Sequence, residues 1–285
     1  MPHSIQNILP RDTAMLAAAL ALEASTARIE VQSLLQKTLR VERVYLFAHP
    51  ERSLTDSEFS HYRALLQRRM HGEPIAYILG EREFFGLNFK VTTATLIPRP
   101  DTELLVELAI QRIPPKVRCA VLDLGTGTGA IALAIAQTRP QADVLACDAS
   151  LTALAVAQEN ARALGISNVD FAHSNWFSAL GGQRFALIVS NPPYIAAGDP
   201  HLLQGDVRFE PVSALVSGAD GLDDIRQIVS NSIVHLLPGG WLLLEHGYDQ
   251  AERVRGLLLE AKLDAVFSAR DLSGTERVSG GQFKG

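Results

Sequence analysis

The sequence predicts an α/β protein, in which a doubly wound, mostly parallel seven-stranded sheet is preceded by a small helical domain. Three observations lead to this fold class. Helical patterns fill residues 1–75, strands alternate with helices after Pro114-Pro115, and two strand-like pieces surround residues 271–275. Strands separated by helices favour parallel pairing, whereas a terminal pair joined by a short turn suits an antiparallel edge.

Composition narrows the class further. The 285 residues are 47% hydrophobic and 20% charged, which is enough for a sizeable core and excludes a disordered chain. Acidic side chains outnumber basic ones by 31 to 26, so the formal net charge is −5. This balance argues against a protein held on nucleic acid by its general surface charge. Cys119 and Cys147 lie apart in apolar strand-like runs, so we expect no disulfide scaffold and no metal site.

The N-terminal part reads as helical. Residues 14–22 form an apolar run that resembles the core of a signal peptide, but the run is too short to span a bilayer. A signal peptide needs net positive charge before its apolar run, but here Asp12 cancels the charge of Arg11. Residues 28–39 continue with a second helical pattern. We therefore expect a cytoplasmic protein without membrane contact.

Local signals divide the chain into three parts. Thr55 and Glu58 have the spacing of a capping box, and Gly72 with Pro74 ends the helix that this box begins. Aromatic residues, Val, Thr and Gly follow up to Pro98, which suggests a hairpin-like connector. The predicted parts are a helical substrate-docking domain at 1–75, the connector at 76–98 and a larger domain at 99–285.

The larger domain alternates strand and helix in order. Asp101 or Thr102 can cap its first helix, which runs through Ile110. Apolar runs then predict strands at 121–124, 144–147, 169–172, 185–189 and 241–244, before the terminal pair. The helices between and after them are predicted at 130–136, 151–164, 222–237 and 251–261.

A glycine-rich turn, from Asp123 to Gly129, leaves the first of these strands and enters a helix. Glycine lets a ligand approach the backbone, and Asp148, at the end of the next strand, can bind both hydroxyls of a ribose. Gly125-x-Gly127-x-x-Ala130 also satisfies the dinucleotide fingerprint, so NAD remains an alternative. The acidic residue before three alternating glycines favours S-adenosylmethionine.

Asn191-Pro192-Pro193-Tyr194 follows another buried strand and should face the same crevice. The Asn191 side-chain oxygen and the Pro192 carbonyl could accept both N–H bonds of a planar NH₂ group. The two prolines restrict the backbone, and Tyr194 offers an aromatic face. This segment therefore predicts methyl transfer to a side-chain amide or to an exocyclic base amine.

With these motifs, the chain resembles the HemK-like glutamine methyltransferases, a class I S-adenosylmethionine-dependent family that modifies the Gly-Gly-Gln motif of peptide-chain release factors. The resemblance spans most of the chain and implies a Rossmann-like methyltransferase fold. It is carried by residues 84–87, 96–103, 123–132, 175–177, 191–194, 205–211 and 242–247.

The resemblance implies roles for particular residues. The donor, S-adenosylmethionine, would be bound by Gly125, Thr126, Gly127, Thr128, Gly129, Asp148, Trp176 and Asn191. The substrate glutamine would be bound by Asn191, Pro192, Pro193 and Tyr194, of which Asn191, Pro192 and Tyr194 would be catalytic. Release factors would be the partners, with no metal and no direct stable binding of nucleic acid.

Some residues receive no catalytic role. Arg99 and Glu103 border the predicted crevice, and a salt-bridge function between domains is an equal alternative for them. Glu245 is interpreted as structural, and Gly280-Gly281-Gln282 as a chance tail sequence.

Four alternatives remain at this point. They are adenine-amine methylation of nucleic acid, glutamine methylation of a ribosomal protein, a nicotinamide-dependent oxidoreductase and a non-catalytic scaffold for translation factors. The negative net charge argues against the first. Residues 97–101 favour the release-factor type over the second, and Asn191 to Tyr194 would be unexplained by the third.

Overall fold

Five helices precede the first strand in the computed structural model, which describes residues 3–285. Together with residues 204–209 they make up one compact unit, which extends to Glu81. The helices are α1 (Ile5–Leu20), α2 (Ala24–Leu39), α3 (Arg43–Ala48), α4 (Asp56–Met70) and α5 (Ile75–Leu79).

The helical unit has its own apolar core, to which Ile8, Leu16 and Leu34 contribute from α1 and α2. α4 begins at the predicted capping box: the Thr55 hydroxyl accepts the Glu58 backbone N–H, and the Glu58 carboxylate accepts that of Thr55. Local sequence therefore fixed the start of this helix correctly.

A buried ion-pair cluster holds residues 204–209 on the helical unit. Arg69, only 4% exposed on α4, donates two hydrogen bonds to the Glu30 carboxylate, at 2.8 and 3.1 Å. A third nitrogen of the same guanidinium donates to Asp206 at 2.9 Å. Arg208 contributes as well, because its guanidinium donates to the His71 carbonyl at 3.0 Å. The return of the chain to this unit was not predicted from sequence.

The second unit comprises residues 82–203 and 210–285. A two-stranded sheet of β1 (Glu81–Phe84) and β2 (Leu87–Lys90) begins it. The remaining strands are β3 (Cys119–Leu124), β4 (Ala142–Asp148), β5 (Val169–His173), β6 (Phe185–Ser190), β7 (Leu236–Glu245), β8 (Asp264–Arg270) and β9 (Glu276–Gln282). The helices are α6 (Glu103–Arg112), α7 (Ala130–Thr138), α8 (Leu151–Leu164), α9 (Asp223–Ser232) and α10 (Ala251–Glu260).

These seven strands form one sheet in the order β5-β4-β3-β6-β7-β9-β8. β3, β4, β5, β6 and β7 pair in parallel, whereas β9 is antiparallel to both β7 and β8. Alternate residues of β3 enter two separate cores: Val121 packs with α6 and α7, and Leu122 packs with α9 and α10. The predicted fold class, doubly wound with an antiparallel edge, is confirmed.

Two sequence interpretations are corrected here. The helix predicted to reach residue 237 ends earlier, because Leu236 is fully buried and already pairs with Phe185 in the sheet. Gly280-Gly281-Gln282 is not a tail, since it lies inside β9. A Cβ atom on Gly280 would lie 2.5 Å from a methyl carbon of Leu243, so close packing requires glycine.

None of the helices in the described part of the chain has the length and hydropathy that a bilayer crossing requires.

Candidate functional site

The carboxyl ends of β3 and β6 lie side by side where the strand order reverses. Leu124, the last residue of β3, pairs with Ser190, the last residue of β6. The Ser190 hydroxyl also donates to the Leu124 carbonyl at 2.7 Å. The glycine turn and Asn191 therefore begin from paired positions, at the edge where open parallel sheets bind ligands.

The turn after β3 is open at Gly127 and tightly packed at Gly129. Both residues have left-handed backbone angles, with φ of 56° and 84°, which glycine adopts without steric cost. Nothing lies within 4 Å of a Cβ built on Gly127, whereas one on Gly129 would lie 3.1 Å from Leu133 and 3.2 Å from Ala157. Gly127 thus leaves room for a ligand, and Gly129 lets α7 pack against α8.

Asp148, at the end of β4, is held through both carboxylate oxygens. Oδ2 accepts the Gly127 backbone N–H at 2.9 Å, and Oδ1 accepts that of Ser150 at 2.8 Å. Each carboxylate oxygen has a further lone pair. Asp148 therefore presents two fixed acceptors, an arrangement that matches the neighbouring hydroxyls of a ribose.

Asp123 supports the glycine turn from below. Its Oδ2 accepts the Thr126 hydroxyl at 2.7 Å and the Ala132 backbone N–H at 3.2 Å. The carboxyl is fully buried, and its Oδ1 has no hydrogen-bond partner among the described residues. Burial raises the pKa of Asp123 to about 7, with a further contribution from the charge of Asp148.

Trp176 lies against the same turn. Its ring would be 3.4 Å from a Cβ on Gly125, and its indole N–H donates to Asp224 Oδ1 at 3.1 Å. Trp176 has a left-handed backbone with φ of 49°, and the Ser174 hydroxyl donates to its carbonyl at 2.6 Å. The indole is therefore fixed in place beside the glycine backbone.

A cavity of about 580 Å³ opens at this edge of the sheet. The predicted site residues that line it are Gly125, Thr126, Gly127, Thr128, Asp148, Trp176, Asn191 and Pro193. The other predicted site residues do not line the cavity; they are Gly129, Pro192 and Tyr194. The structure thus brings the donor turn and Asn191 to one cavity and places the partly buried Tyr194 side chain against the adjacent core.

Asn191 and Tyr194 are each held by a residue that sequence reasoning did not assign to the site. The Asn191 side-chain NH₂ donates to the Thr102 hydroxyl oxygen at 3.1 Å. The Tyr194 hydroxyl donates to Glu245 Oε1 at 3.3 Å. Burial and the charge of Glu245 raise the pKa of Tyr194, which keeps this hydroxyl protonated.

Arg99 and Glu103, left without roles in the sequence analysis, have defined partners within the second unit. Arg99 lines the cavity and its guanidinium pairs with Glu210, whose carboxylate also accepts the Ile97 backbone N–H at 3.0 Å. Glu103 Oε1 accepts the Phe85 backbone N–H at 2.9 Å. Both residues hold the segments that frame the cavity.

The described residues include no group of three or more His, Cys, Asp or Glu side chains that could hold a metal ion. Cys119 and Cys147 are free.

The comparisons with known proteins agree with this geometry. Residues 13–80 match the PrmC N-terminal domain family, and residues 101–205 match the methyltransferase small domain family. The release factor glutamine methyltransferase of Xylella fastidiosa strain Temecula1 is 50% identical over 277 residues, which cover 97% of this chain and 100% of that protein. This chain belongs to the release factor glutamine methyltransferase family.

Other relatives give the same result. The release factor glutamine methyltransferase of Escherichia coli K12 is 49% identical over 263 residues, covering 92% of this chain and 95% of that protein. The crystal structure of a methyltransferase from Pyrococcus furiosus superimposes with a TM-score of 0.53 at 21% identity, over 77% of this chain and 97% of the other. The similarity to the Pyrococcus furiosus structure, at 21% identity, supports only the fold of this chain. Membership of the release factor glutamine methyltransferase family confirms the resemblance drawn from the motifs.

Proposed function

We propose that this protein transfers the methyl group of S-adenosylmethionine to the side-chain amide nitrogen of a glutamine in peptide-chain release factors, within their Gly-Gly-Gln motif. The pairing of Leu124 with Ser190 carries the proposal, because it brings a donor-binding turn and Asn191 to one edge of the sheet. Methylation of a planar NH₂ group needs these two parts together. Family membership at 50% identity supports glutamine as the acceptor.

The residues present fit S-adenosylmethionine. Gly127 leaves its backbone open, Asp148 offers two fixed acceptors to the ribose, and Trp176 offers an aromatic surface to the adenine. The donor carries its methyl group on a positively charged sulfur, which makes that methyl electrophilic. The proposed donor site comprises Gly125, Thr126, Gly127, Thr128, Gly129, Asp148, Trp176 and Asn191, with Gly129 acting through packing.

The substrate amide requires acceptors rather than a strong base. Its nitrogen is a poor nucleophile because the lone pair is delocalised, and Asn191 Oδ1 with the Pro192 carbonyl would bind both N–H groups. Pro192 and Pro193 hold this backbone rigidly. Among the described residues, the ionisable side chains that line the cavity are Arg99, Asp148 and Asp224, each of which is bound to another part of the protein. The nitrogen loses one proton as it gains the methyl group, and water accepts that proton, so positioning is the proposed source of catalysis.

Tyr194 has a more indirect place in this scheme than the sequence predicts. Its hydroxyl is bound to Glu245, and its partly buried side chain packs against the core beside the cavity. We retain Tyr194 among the substrate-binding residues as a proposal. A Tyr194→Phe variant tests the hydroxyl, and Tyr194→Leu tests the aromatic face. If the ring stacks on the amide, only the leucine variant should raise the KM for release factor strongly.

The helical unit is the proposed docking surface for release factor, in keeping with the predicted role of residues 1–75. Its described residues include three exposed large apolar side chains, Ile29, Val44 and Phe47. We expect Phe47→Ser to raise the KM for release factor and leave the Kd for the donor unchanged. Val234→Ser, at an exposed position of the second unit, is the matched control. Translation occurs in the cytoplasm, which is the proposed location of the protein.

The decisive experiment is mass spectrometry of release factor after incubation with this protein and S-adenosylmethionine. We expect one added methyl group on the glutamine of the Gly-Gly-Gln motif. Asn191→Ala should bind the donor nearly normally and lose most of the transfer. Label on plasmid DNA or on a ribosomal-protein glutamine, with none on release factor, would contradict the proposed substrate.

A further inference from the structure

Glu245 ends β7 with a carboxyl group that is 1% exposed. Oε1 accepts the Tyr194 hydroxyl, whereas Oε2 has no hydrogen-bond partner among the described residues. Arg277, the nearby cation, forms its ion pairs with Asp101 and Asp271 and not with Glu245. Burying a carboxyl group in this way is costly. Such a group is expected to serve a purpose beyond packing.

The neighbours of Glu245 connect it to the candidate site. The Thr102 hydroxyl interacts with the Glu245 carboxyl and favours its charged form. The same hydroxyl oxygen accepts the side-chain NH₂ of Asn191 at 3.1 Å. Thr102 is placed as the N-cap of α6 but makes no side-chain hydrogen bond to that helix. Its hydroxyl oxygen instead accepts from Asn191, and the hydroxyl lies near enough to the Glu245 carboxyl to lower the pKa of that group.

The direction of these hydrogen bonds follows from the number of protons. An ionised carboxylate only accepts, and a hydroxyl has one proton to donate. The Thr102 oxygen accepts from the Asn191 NH₂, so the Thr102 proton is left for another acceptor, and the nearby ionised Glu245 carboxylate can be that acceptor. Because an amide carries its NH₂ and its oxygen on opposite sides, Asn191 Oδ1 faces away from Thr102. An amide turned the other way would present N–H groups to the substrate NH₂, and two donors cannot bind each other.

We propose that Glu245 is a positioning residue, which acts through Thr102 to hold the Asn191 amide with Oδ1 toward the substrate NH₂ group. This inference rests on the proposed function, because it assigns Asn191 the role of acceptor for the glutamine amide. Glu245 does not touch the reacting atoms. It also fixes the Tyr194 hydroxyl from the other side, so one buried carboxyl holds both polar residues of the Asn-Pro-Pro-Tyr segment.

The charge state of Glu245 gives the arrangement a pH dependence. Burial raises the pKa of Glu245 to about 7, aided by Asp101 and opposed by Thr102, Tyr194 and Arg277. Arg277 on β9 is shared with two other carboxylates, Asp271 at 3.3 Å and Asp101 at 3.6 Å. His246, the next residue on the chain, is buried, and burial lowers its pKa, which favours the neutral imidazole. Arg99 is paired with Glu210.

Below about pH 7, the protonated carboxyl can donate to Thr102 as well as accept from it. The Thr102 proton is then free to turn toward Asn191, and the amide orientation is no longer fixed. We therefore expect kcat to fall as the pH falls through this range. The pKa of Asp123 is also raised to about 7, so the wild-type pH profile of kcat does not identify the titrating group. The test therefore compares the pH profiles of variants.

The test uses the full chain, purified release factor as acceptor and S-adenosylmethionine as donor. Thr102→Val removes the hydroxyl without changing the shape, and Thr102→Ser restores it. We expect Thr102→Val to lower kcat about tenfold, the effect of one lost hydrogen bond, and to leave the donor Kd within about twofold. Thr102→Ser should recover most of the activity. Full activity of Thr102→Val, or failure of serine to rescue, would overturn the proposal.

Glu245→Gln provides the second arm. We expect a lower kcat at pH 8 and a smaller ratio between kcat at pH 8 and at pH 6 than in wild type, because the titrating group is gone. An unchanged ratio would overturn the role of Glu245. Glu252→Gln, an exposed position on α10, is the matched control and should behave as wild type. A wild-type protein that fails to methylate release factor would instead contradict the proposed function, and the two failures are thereby distinguished.

Discussion

The Gly127 backbone N–H donates to Asp148 Oδ2 at 2.9 Å, and this bond joins the turn after β3 to the end of β4. The most open position of the glycine turn and the proposed ribose-binding carboxylate are thus parts of one rigid unit. Because the Ser150 N–H holds the other oxygen, Asp148 is oriented before any ligand arrives. Preorganisation of this kind lowers the entropic cost of binding.

Replacing this carboxylate should weaken donor binding. Asp148→Asn puts an NH₂ group against the N–H of Gly127 or Ser150 and removes the charge that accepts the ribose hydroxyls. We expect the donor Kd to rise roughly 10- to 100-fold, the range for hydrogen bonds to charged groups. Isothermal titration calorimetry with S-adenosylmethionine measures it. Asp143→Asn, on the solvent-exposed part of the same strand, should bind as wild type. Normal binding by Asp148→Asn would contradict the ribose role.

The buried carboxyl of Asp123 should make stability depend on pH. Its pKa is raised to about 7 in the folded protein, against an ordinary value near 4. The folded state therefore holds the proton more tightly than the unfolded state, and stability falls as the pH rises from about 4 to 7. Asp123→Asn keeps the acceptor for Thr126 and Ala132 and removes the charge.

The stability difference between Asp123→Asn and wild type isolates this effect, since other titrating groups cancel. We expect the stability of the variant relative to wild type to increase as the pH rises from 5 to 8. The increase should reach up to a few kcal/mol in free energy of unfolding and appear as a higher relative Tm. Thermal unfolding without donor gives the result. A difference that stays constant over this range would show that Asp123 does not carry a buried charge.

Arg69 should be essential to the helical unit. Arg69→Met leaves the buried Glu30 carboxylate without its partner and releases Asp206, and breaking a buried ion pair costs about 3–5 kcal/mol. We expect a lower Tm and faster proteolysis within residues 204–209. Arg63→Met, at an exposed position of the same helix, is the control. Equal protease resistance in the two variants would mean that the ion pair does not anchor this segment.

Gly280 should tolerate no side chain. A Cβ atom would lie 2.7 Å from the Leu242 carbonyl oxygen as well as close to Leu243, and overpacking of this kind costs about 1–3 kcal/mol. Gly256→Ala on α10 is the opposite case, because nothing lies within 4 Å of its Cβ. Alanine there should stabilise the helix by about 0.5–1 kcal/mol. Chemical denaturation of both variants should therefore give changes of opposite sign.

Much of the fold could be predicted from sequence because its signals are local. The capping box at Thr55, the alternation of strand and helix, and the order of motifs around Asn191 all depend on neighbouring residues. The end of the helix before β7 was predicted wrongly, since the burial of Leu236 in the sheet is a tertiary effect that an apolar pattern does not distinguish from a helix face.

The polar partners of the site could not be predicted for the same reason. Thr102 reads as a helix cap, yet its hydroxyl binds Asn191, 89 positions along the chain. Arg69 and Asp206 are 137 positions apart, and nothing in the periodicity of either segment connects them. Hydrogen-bond and ion-pair partners brought together by the fold leave no trace in local composition, so the contact of Asp224 with Trp176 had no signal, and the motif at residues 242–247 did not indicate that Glu245 binds Tyr194.

Gly280, Gly281 and Gln282 lie at the carboxyl end of β9. These three residues have the same sequence as the proposed target. Their backbone pairs with β7 and β8, and the Gln282 amide donates to the Gly239 carbonyl at 2.9 Å. The folded enzyme thus contains the Gly-Gly-Gln sequence of its proposed substrate in an extended strand that is paired on both sides. A glutamine whose backbone pairs with strands on both sides is not presented to the cavity, so we expect this segment of the folded enzyme not to be methylated.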